Sequence, residues 1–193
     1  MSGHKQKGPQ AGFTLIESMI AIVVLLVGIL GLAAMLASGL AYMSMAQADY
    51  IAQQKAAEAV ESVFTARDIG QSTWSMICNV GSSVCSNGIF LTGSLPLCDP
   101  GPDAIVGTAD DFNGSSCAGN PDSILIPNSS GNFNPPQRLA LSTFKRTITI
   151  SNVSAPGGGT IANLRQITVT INYSSGNFKN RVYTLNAYIS NFS

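Results

Sequence analysis

Between Ser18 and Ala48 the chain carries no charged residue, and Glu17 stands immediately before that run. A helix needs roughly 20 mostly apolar residues to cross a bilayer, so the run is long enough to do so. A carboxylate buried in such a helix costs about 2.5–3.5 kcal/mol, and Glu17 therefore needs a partner that neutralises it. An ordinary secretory signal places basic residues first, then about 7 to 15 apolar residues, then a small-residue cleavage site behind them. Here the order differs. A hydrophilic stretch with His4, Lys5 and Lys7 ends at Gly12, and the apolar segment that follows continues without a break into Tyr42 and Met45.

The series Gly12-Phe13-Thr14-Leu15-Ile16-Glu17, at the head of a single apolar helix, resembles the type IV prepilin leader. That resemblance implies that a membrane-embedded prepilin peptidase cuts between Gly12 and Phe13 and methylates the new amine of Phe13. It also implies that Glu17, fifth in the mature chain, neutralises the Phe13 amine of a neighbouring subunit during filament assembly. The chemistry stands without the family, because a carboxylate and an ammonium buried together offset each other's desolvation. The plainer alternative is a single-pass anchor with Glu17 near the lipid headgroups. Within the apolar run, Val24 to Ala33 with Gly28 and Gly31 is similar to the minor-pilin family called PilV, and Ala34 stands where major pilins often have proline. These resemblances imply an α+β, type IV pilin-like fold, a single-pass inner-membrane location with a periplasmic domain, and later residence in a filament or its tip. The partners they imply are the prepilin peptidase and other minor or major pilins, or the pseudopilins of a type II secretion system.

Residues 13–42 are thus expected to form the membrane and filament-core helix, and 43–69 its projecting amphipathic continuation. No proline interrupts the chain from Phe13 to Asp68. In the projecting part Ala52, Ala56, Ala59, Val60, Val63 and Phe64 recur at spacings of three and four among charged residues, which makes one face for packing. Gly70 is the expected stop. Gly28, Gly31 and Gly39 each cost up to about 1 kcal/mol in a helix interior, and small residues in a membrane helix also permit close helix–helix approach.

Residues 70–193 are expected to form one globular domain. Up to Gln137 the composition favours turns and loops, with short apolar stretches at Ile89 to Leu91 and Ile124 to Ile126. Beyond it apolar residues alternate with polar ones: Ile148 and Ile150; Ile167, Val169, Ile171 and Tyr173; Tyr183, Leu185, Ala187 and Ile189. That period of two predicts an antiparallel meander with one face against the projecting helix. Ser174 to Asn177 reads as a hairpin, and Ala155 to Gly159 as a looser connection.

All four cysteines lie in the loop-rich part. An even number in an exported domain points to disulfides, and three pairings are open. Short enclosed loops favour Cys78 with Cys85 and Cys98 with Cys117. The rival is a four-cysteine zinc site, for which the chain lacks a Cys-x-x-Cys pair. Between Cys98 and Cys117 lie Asp99, Asp103, Asp110 and Asp111 among glycines and prolines. Such carboxylates repel one another unless solvent or a hard cation screens them. Calcium, which takes six to eight oxygens in flexible geometry, is the expected cation with those four as ligands, and a solvated turn is the other reading. No other cofactor is expected.

Cleavage at Gly12 removes Lys5, Lys7 and the single histidine. The ten basic residues become eight against ten acidic ones, a formal charge of −2. A mature chain without histidine excludes His-based acid–base or nucleophilic catalysis, and no enzyme is expected. A DNA-binding module would need a basic patch. Lys145, Arg146, Arg165, Lys179 and Arg181 lie in the strand region, but with the slightly acidic balance they read as a solvated sheet face, and nucleic acid is not an expected partner. An adhesive filament module is the remaining alternative.

Overall fold

The structure, a computed structural model, describes residues 14–126, 130–131, 137–176 and 178–191. It is one long helix and an antiparallel sheet, with two disulfides in the loops between them. The helix α1 runs Leu15–Asp68. Two compact units divide between Met43 and Ser44, so the first part of α1 stands in one unit and its remainder in the other.

In the second unit α1 buries Ala48, Ile51, Ala52, Ala56, Ala59, Val63 and Ala66, while Val60 and Phe64 pack at the margin. Five of the seven are alanines. Alanine is the strongest helix former, and its short side chain lets the helix backbone approach the sheet closely. The helix closes as Gly70, at φ 75°, donates its N–H to Arg67 O at 3.0 Å and Ser72 N–H reaches back to Ala66 O at 2.9 Å. A left-handed glycine after the last turn satisfies carbonyls that would otherwise be orphaned.

Among the described residues eight strands follow: β1 Leu95–Pro96, β2 Phe112–Asn113, β3 Ser116–Cys117, β4 Ser123–Ile126, β5 Gln137–Ala140, β6 Lys145–Ser154, β7 Thr160–Ser175 and β8 Phe178–Ser190. The main sheet has the order β1-β6-β7-β8, antiparallel throughout, while β2–β3 and β4–β5 are separate two-stranded ribbons. The inner face is built on the expected alternation. Ile148 and Ile150 on β6, Ile167, Val169, Ile171 and Tyr173 on β7 and Ile189 on β8 are all buried. The β6–β7 connection is a tight turn. Ala155 and Gly159 are bonded across it at 3.1 Å, and Gly157, Gly158 and Gly159 all take positive φ, a region that only glycine adopts without strain. Ser175 pairs with Phe178 to close the β7–β8 hairpin.

Two of the five basic residues overturn the solvated-face reading. Arg146 and Arg165 are 4% and 5% exposed and lie on the inner face, in phase with the isoleucines of their strands. Arg165 Nη1 donates to the carbonyls of Trp74 and Ile77, Nη2 reaches Val84 O at 3.4 Å, and the guanidinium stacks 4.1 Å over the Trp74 ring. It therefore holds the loop that the Cys78–Cys85 disulfide closes. Burial lowers the pKa of both arginines. Glu58, Asp111 and Asp122 counter that fall at Arg146.

A partly buried ionic cluster ties Asp122, the residue before β4, to the helix. Lys55 Nζ lies 2.7 Å from Asp122 and 2.6 Å from Glu58. Burial works against its charge, but the hydrogen bonds to Asp122 and Glu58 outweigh it, so the Lys55 pKa is raised. Asn79 makes a second tie, since its side chain donates to Ile148 O and accepts from Ile150 N–H, both at 2.7 Å, and so anchors the disulfide loop to β6.

Candidate functional site

The first unit presents a surface rather than a core. An 18-residue window of α1 near the N-terminus has a mean hydropathy of 3.0 with none of it buried, so by length and composition the helix is able to cross a membrane. Leu15 is 78% exposed and Leu30 69%. Both serine hydroxyls in this part of α1 are turned inward on the backbone: Ser18 Oγ donates to Leu15 O at 2.8 Å and Ser38 Oγ to Ala34 O at 2.9 Å. A Cβ added at Gly28, Gly31 or Gly39 would meet nothing within 4 Å, so these positions are open notches.

Glu17 occupies the first turn of α1. Its N–H donates to Thr14 O at 3.1 Å and lies 3.4 Å from Thr14 Oγ1. Thr14-x-x-Glu17 is the spacing of a capping box, which the sequence reading passed over although the pattern is plain in the residues. A carboxylate here also faces the positive end of the helix dipole, a contribution of about 0.3–1 kcal/mol. That is smaller than the cost of burying it in lipid, so the helix start positions Glu17 without removing its need for a partner. Gly12 and Phe13, the expected cleavage pair, lie outside the described residues.

The second candidate is the loop between Cys98 and Cys117, which are joined by a disulfide. Asp103, Asp110 and Asp111 bring one oxygen each within 4.8 Å of the others. Asp99 is not in that group; its N–H donates to Asn120 O at 3.1 Å. The three that converge are not alike. Asp111, 1% exposed, accepts Gly101 N–H at 2.7 Å on one oxygen and Gly107 N–H at 2.6 Å on the other, so it serves as the loop's internal tie. Burial raises its pKa; the two amides and nearby Arg146 act against that rise. Gly107 is needed there: its φ is 91°, and a Cβ would sit 2.6 Å from Ile148 Cδ1.

Asp103 and Asp110 instead face a cavity of about 460 Å³. Asp103 Oδ1 accepts Ile105 N–H at 2.8 Å. Thr108 Oγ1 lies 2.6 Å from Asp110 Oδ1, 3.2 Å from Asp103 Oδ2 and 3.1 Å from Ile105 O. A hydroxyl has one proton, so it serves one of those three acceptors at a time.

Residues 7–33 match the family model described as "Prokaryotic N-terminal methylation motif". No curated protein and no solved structure matches the chain. The matched segment holds the end of the leader, Glu17 and the first half of the exposed apolar run, and such a leader implies processing by prepilin peptidase and assembly with other pilins. Joined to a long N-terminal helix on an antiparallel sheet with two disulfides, the motif supports a type IV pilin-like protein, anchored in the membrane by its apolar helix.

Proposed function

We propose that the chain is a minor type IV pilin of the PilV kind, held in the inner membrane until it enters a filament or the priming complex at its tip. The observation that carries this reading is the exposed, charge-free first part of α1 with Glu17 fixed in its first turn. Such a helix has no packing of its own, so in water it must be covered by the equivalent helices of other subunits. Prepilin peptidase frees the Phe13 amine, Glu17 of a neighbour neutralises it, and the open notches at Gly28 and Gly31 let helices approach closely. The mechanism is assembly rather than turnover. A type II secretion pseudopilin shares all of these features and is the runner-up.

The DNA-uptake alternative loses ground, because Arg146 and Arg165 are buried and Arg181 pairs with Asp49 at 3.5 Å. Cross-linking in the native host, followed by mass spectrometry of captured partners, tests the proposal. Filament subunits co-purifying with a chain that starts at methylated Phe13 are expected, and Gly12→Ala should leave the leader in place. Recovery of secretion pseudopilins alone would transfer the chain to the runner-up.

A further inference from the structure

The main sheet is closed off at one edge and open at the other. Along β6 the outer edge is occupied: β1 pairs with Lys145 and Arg146, and beyond it the Asn79 side chain takes Ile148 O and Ile150 N–H. β1 itself is two residues long and ends on Pro96, which has no amide to offer a further strand. β8, the last strand on the other side, has no such cover among the described residues. From Val182 to Ser190 it contains no charged residue, no glycine and no proline. Half of the N–H and C=O groups of an edge strand point away from its neighbour. From Val182 to Ile189 none of them bonds a described group beyond the main sheet. Natural sheets blunt an edge of that length with charge, proline or a bulge, and here Lys179, Arg181 and the positive φ of 54° at Asn180 do so only at its start.

The two faces of the strand carry a separate mark. Val182 and Tyr188 are 58% and 57% exposed on the outer face. On the inner face Tyr183 and Leu185 only pack at the margin of the core, whereas Val169 and Ile171, their partners on β7, are buried. The apolar inner layer thus reaches past the elements that cover it. Charge says what kind of strand fits there. Among the described residues Lys179 forms no ion pair, while Arg181 is paired with Asp49 at 3.5 Å. A fitting strand is neutral along Val182 to Ser190 and carries a carboxylate where it passes Lys179, which in an antiparallel ladder is its C-terminal end.

We propose that the open edge of β8 takes an extended strand of a partner protein, added antiparallel, uncharged along its length and acidic at its C-terminal end. Its backbone extends the β8 ladder, its inner side chains cover Tyr183 and Leu185, and its outer ones lie beside Val182 and Tyr188. A second copy of β8 fits worse, because that strand has no carboxylate to set against Lys179. The inference holds whichever filament the chain enters.

The test uses the full-length protein in detergent micelles and the capped peptide Thr-Val-Thr-Val-Thr-Val-Thr-Glu, titrated calorimetrically with empty micelles as the blank. Saturable binding is expected, with slowed amide exchange at alternate residues from Val182 to Ile189. Methylating every second peptide amide gives two probes of opposite phase. One should bind about a hundredfold more weakly, the scale of about three lost hydrogen bonds, and the other like the parent. Val182→Lys puts a charge on the outer face of the edge and should weaken binding about tenfold with the wild-type thermal transition retained; Tyr188→Lys is the substitute where that transition falls. Absence of saturable binding overturns the proposal, and so does equal affinity of the two methylated probes, which would place the contact on side chains. Tighter binding of the same peptide ending in lysine overturns it too. Dimers of the full-length protein that Val182→Lys dissociates overturn it in favour of a second copy.

Discussion

The first and second units use α1 in opposite ways. Up to Met43 the helix exposes leucine, isoleucine, valine and methionine on every side and buries none of them. From Ser44 onward it turns a stripe of alanines to a sheet and closes a core with Phe90, Leu97, Ile167, Val169 and Ile171. A helix apolar all round is complete only in lipid or among other helices, whereas an amphipathic one is completed by its own chain. The switch comes at Asp49, the first charge after the long neutral run. Its carboxylate is paired with Arg181 and accepts a hydrogen bond from Tyr173. Substitutions in the two units should therefore fail differently: one set in assembly, the other in folding.

The largest separation between the two is expected at Glu17→Val. Processing at Gly12 should continue, incorporation into filaments should fall by an order of magnitude or more, and thermal unfolding of the second unit should stay unchanged. Immunoblots of sheared filaments against whole cells, with calorimetry of the purified chain, measure both. A lowered transition would place Glu17 in the folded unit and collapse the distinction.

Arg165→Met keeps much of the side chain's bulk but removes the donors to Trp74, Ile77 and Val84. At about 1–3 kcal/mol for each buried carbonyl left unpaired, the second unit should lose roughly 3–5 kcal/mol. Hydrogen exchange should rise first between Ser72 and Leu91. A loss below about 1 kcal/mol would show the guanidinium to be a passenger. Replacing Cys98 and Cys117 together by serine ranks next, at about 3 kcal/mol by loop-closure entropy. Their sequence separation of 19 residues bounds the acidic loop, so the bonds from Gly101 and Gly107 to Asp111 should loosen with it.

The length of α1, its stop near Gly70 and the alternation on β6, β7 and β8 follow from periodicity, because burial on one face leaves a fixed mark in the chain. The same alternation already marked Arg146, two residues before Ile148, and Arg165, two before Ile167, as inner-face residues. On a strand, phase rather than charge decides where a side chain points. The acidic loop is the opposite case. Nothing in the spacing of Asp99, Asp103, Asp110 and Asp111 tells which carboxylate turns inward, since that depends on amides supplied by Gly101 and Gly107. A sequence window names the candidates and cannot separate a tie from a ligand.

The smallest effect is expected where the helix changes character. Tyr173 is buried and stacks on Phe144 with ring centroids 5.3 Å apart, and its hydroxyl donates to Asp49 Oδ1 at 2.6 Å. Tyr173→Phe keeps the stacking and removes that one bond. A hydrogen bond to a charged group contributes about 1.5–3 kcal/mol, and partial exposure of Asp49 with its second partner Arg181 places this one near 1.5. Burial raises the Tyr173 pKa, the Asp49 carboxylate raises it further, and Arg181 opposes both. Folding therefore favours the protonated phenol. Its contribution is complete below the unfolded value of about 10 and is lost as pH rises through the higher folded value. Denaturant midpoints of wild type and Tyr173→Phe should differ by a constant amount from pH 7 to 9 and converge above pH 10. Coinciding midpoints already at pH 7 to 9 would mean that the bond to Asp49 contributes nothing to holding the start of the folded unit, and that packing alone marks the boundary along α1.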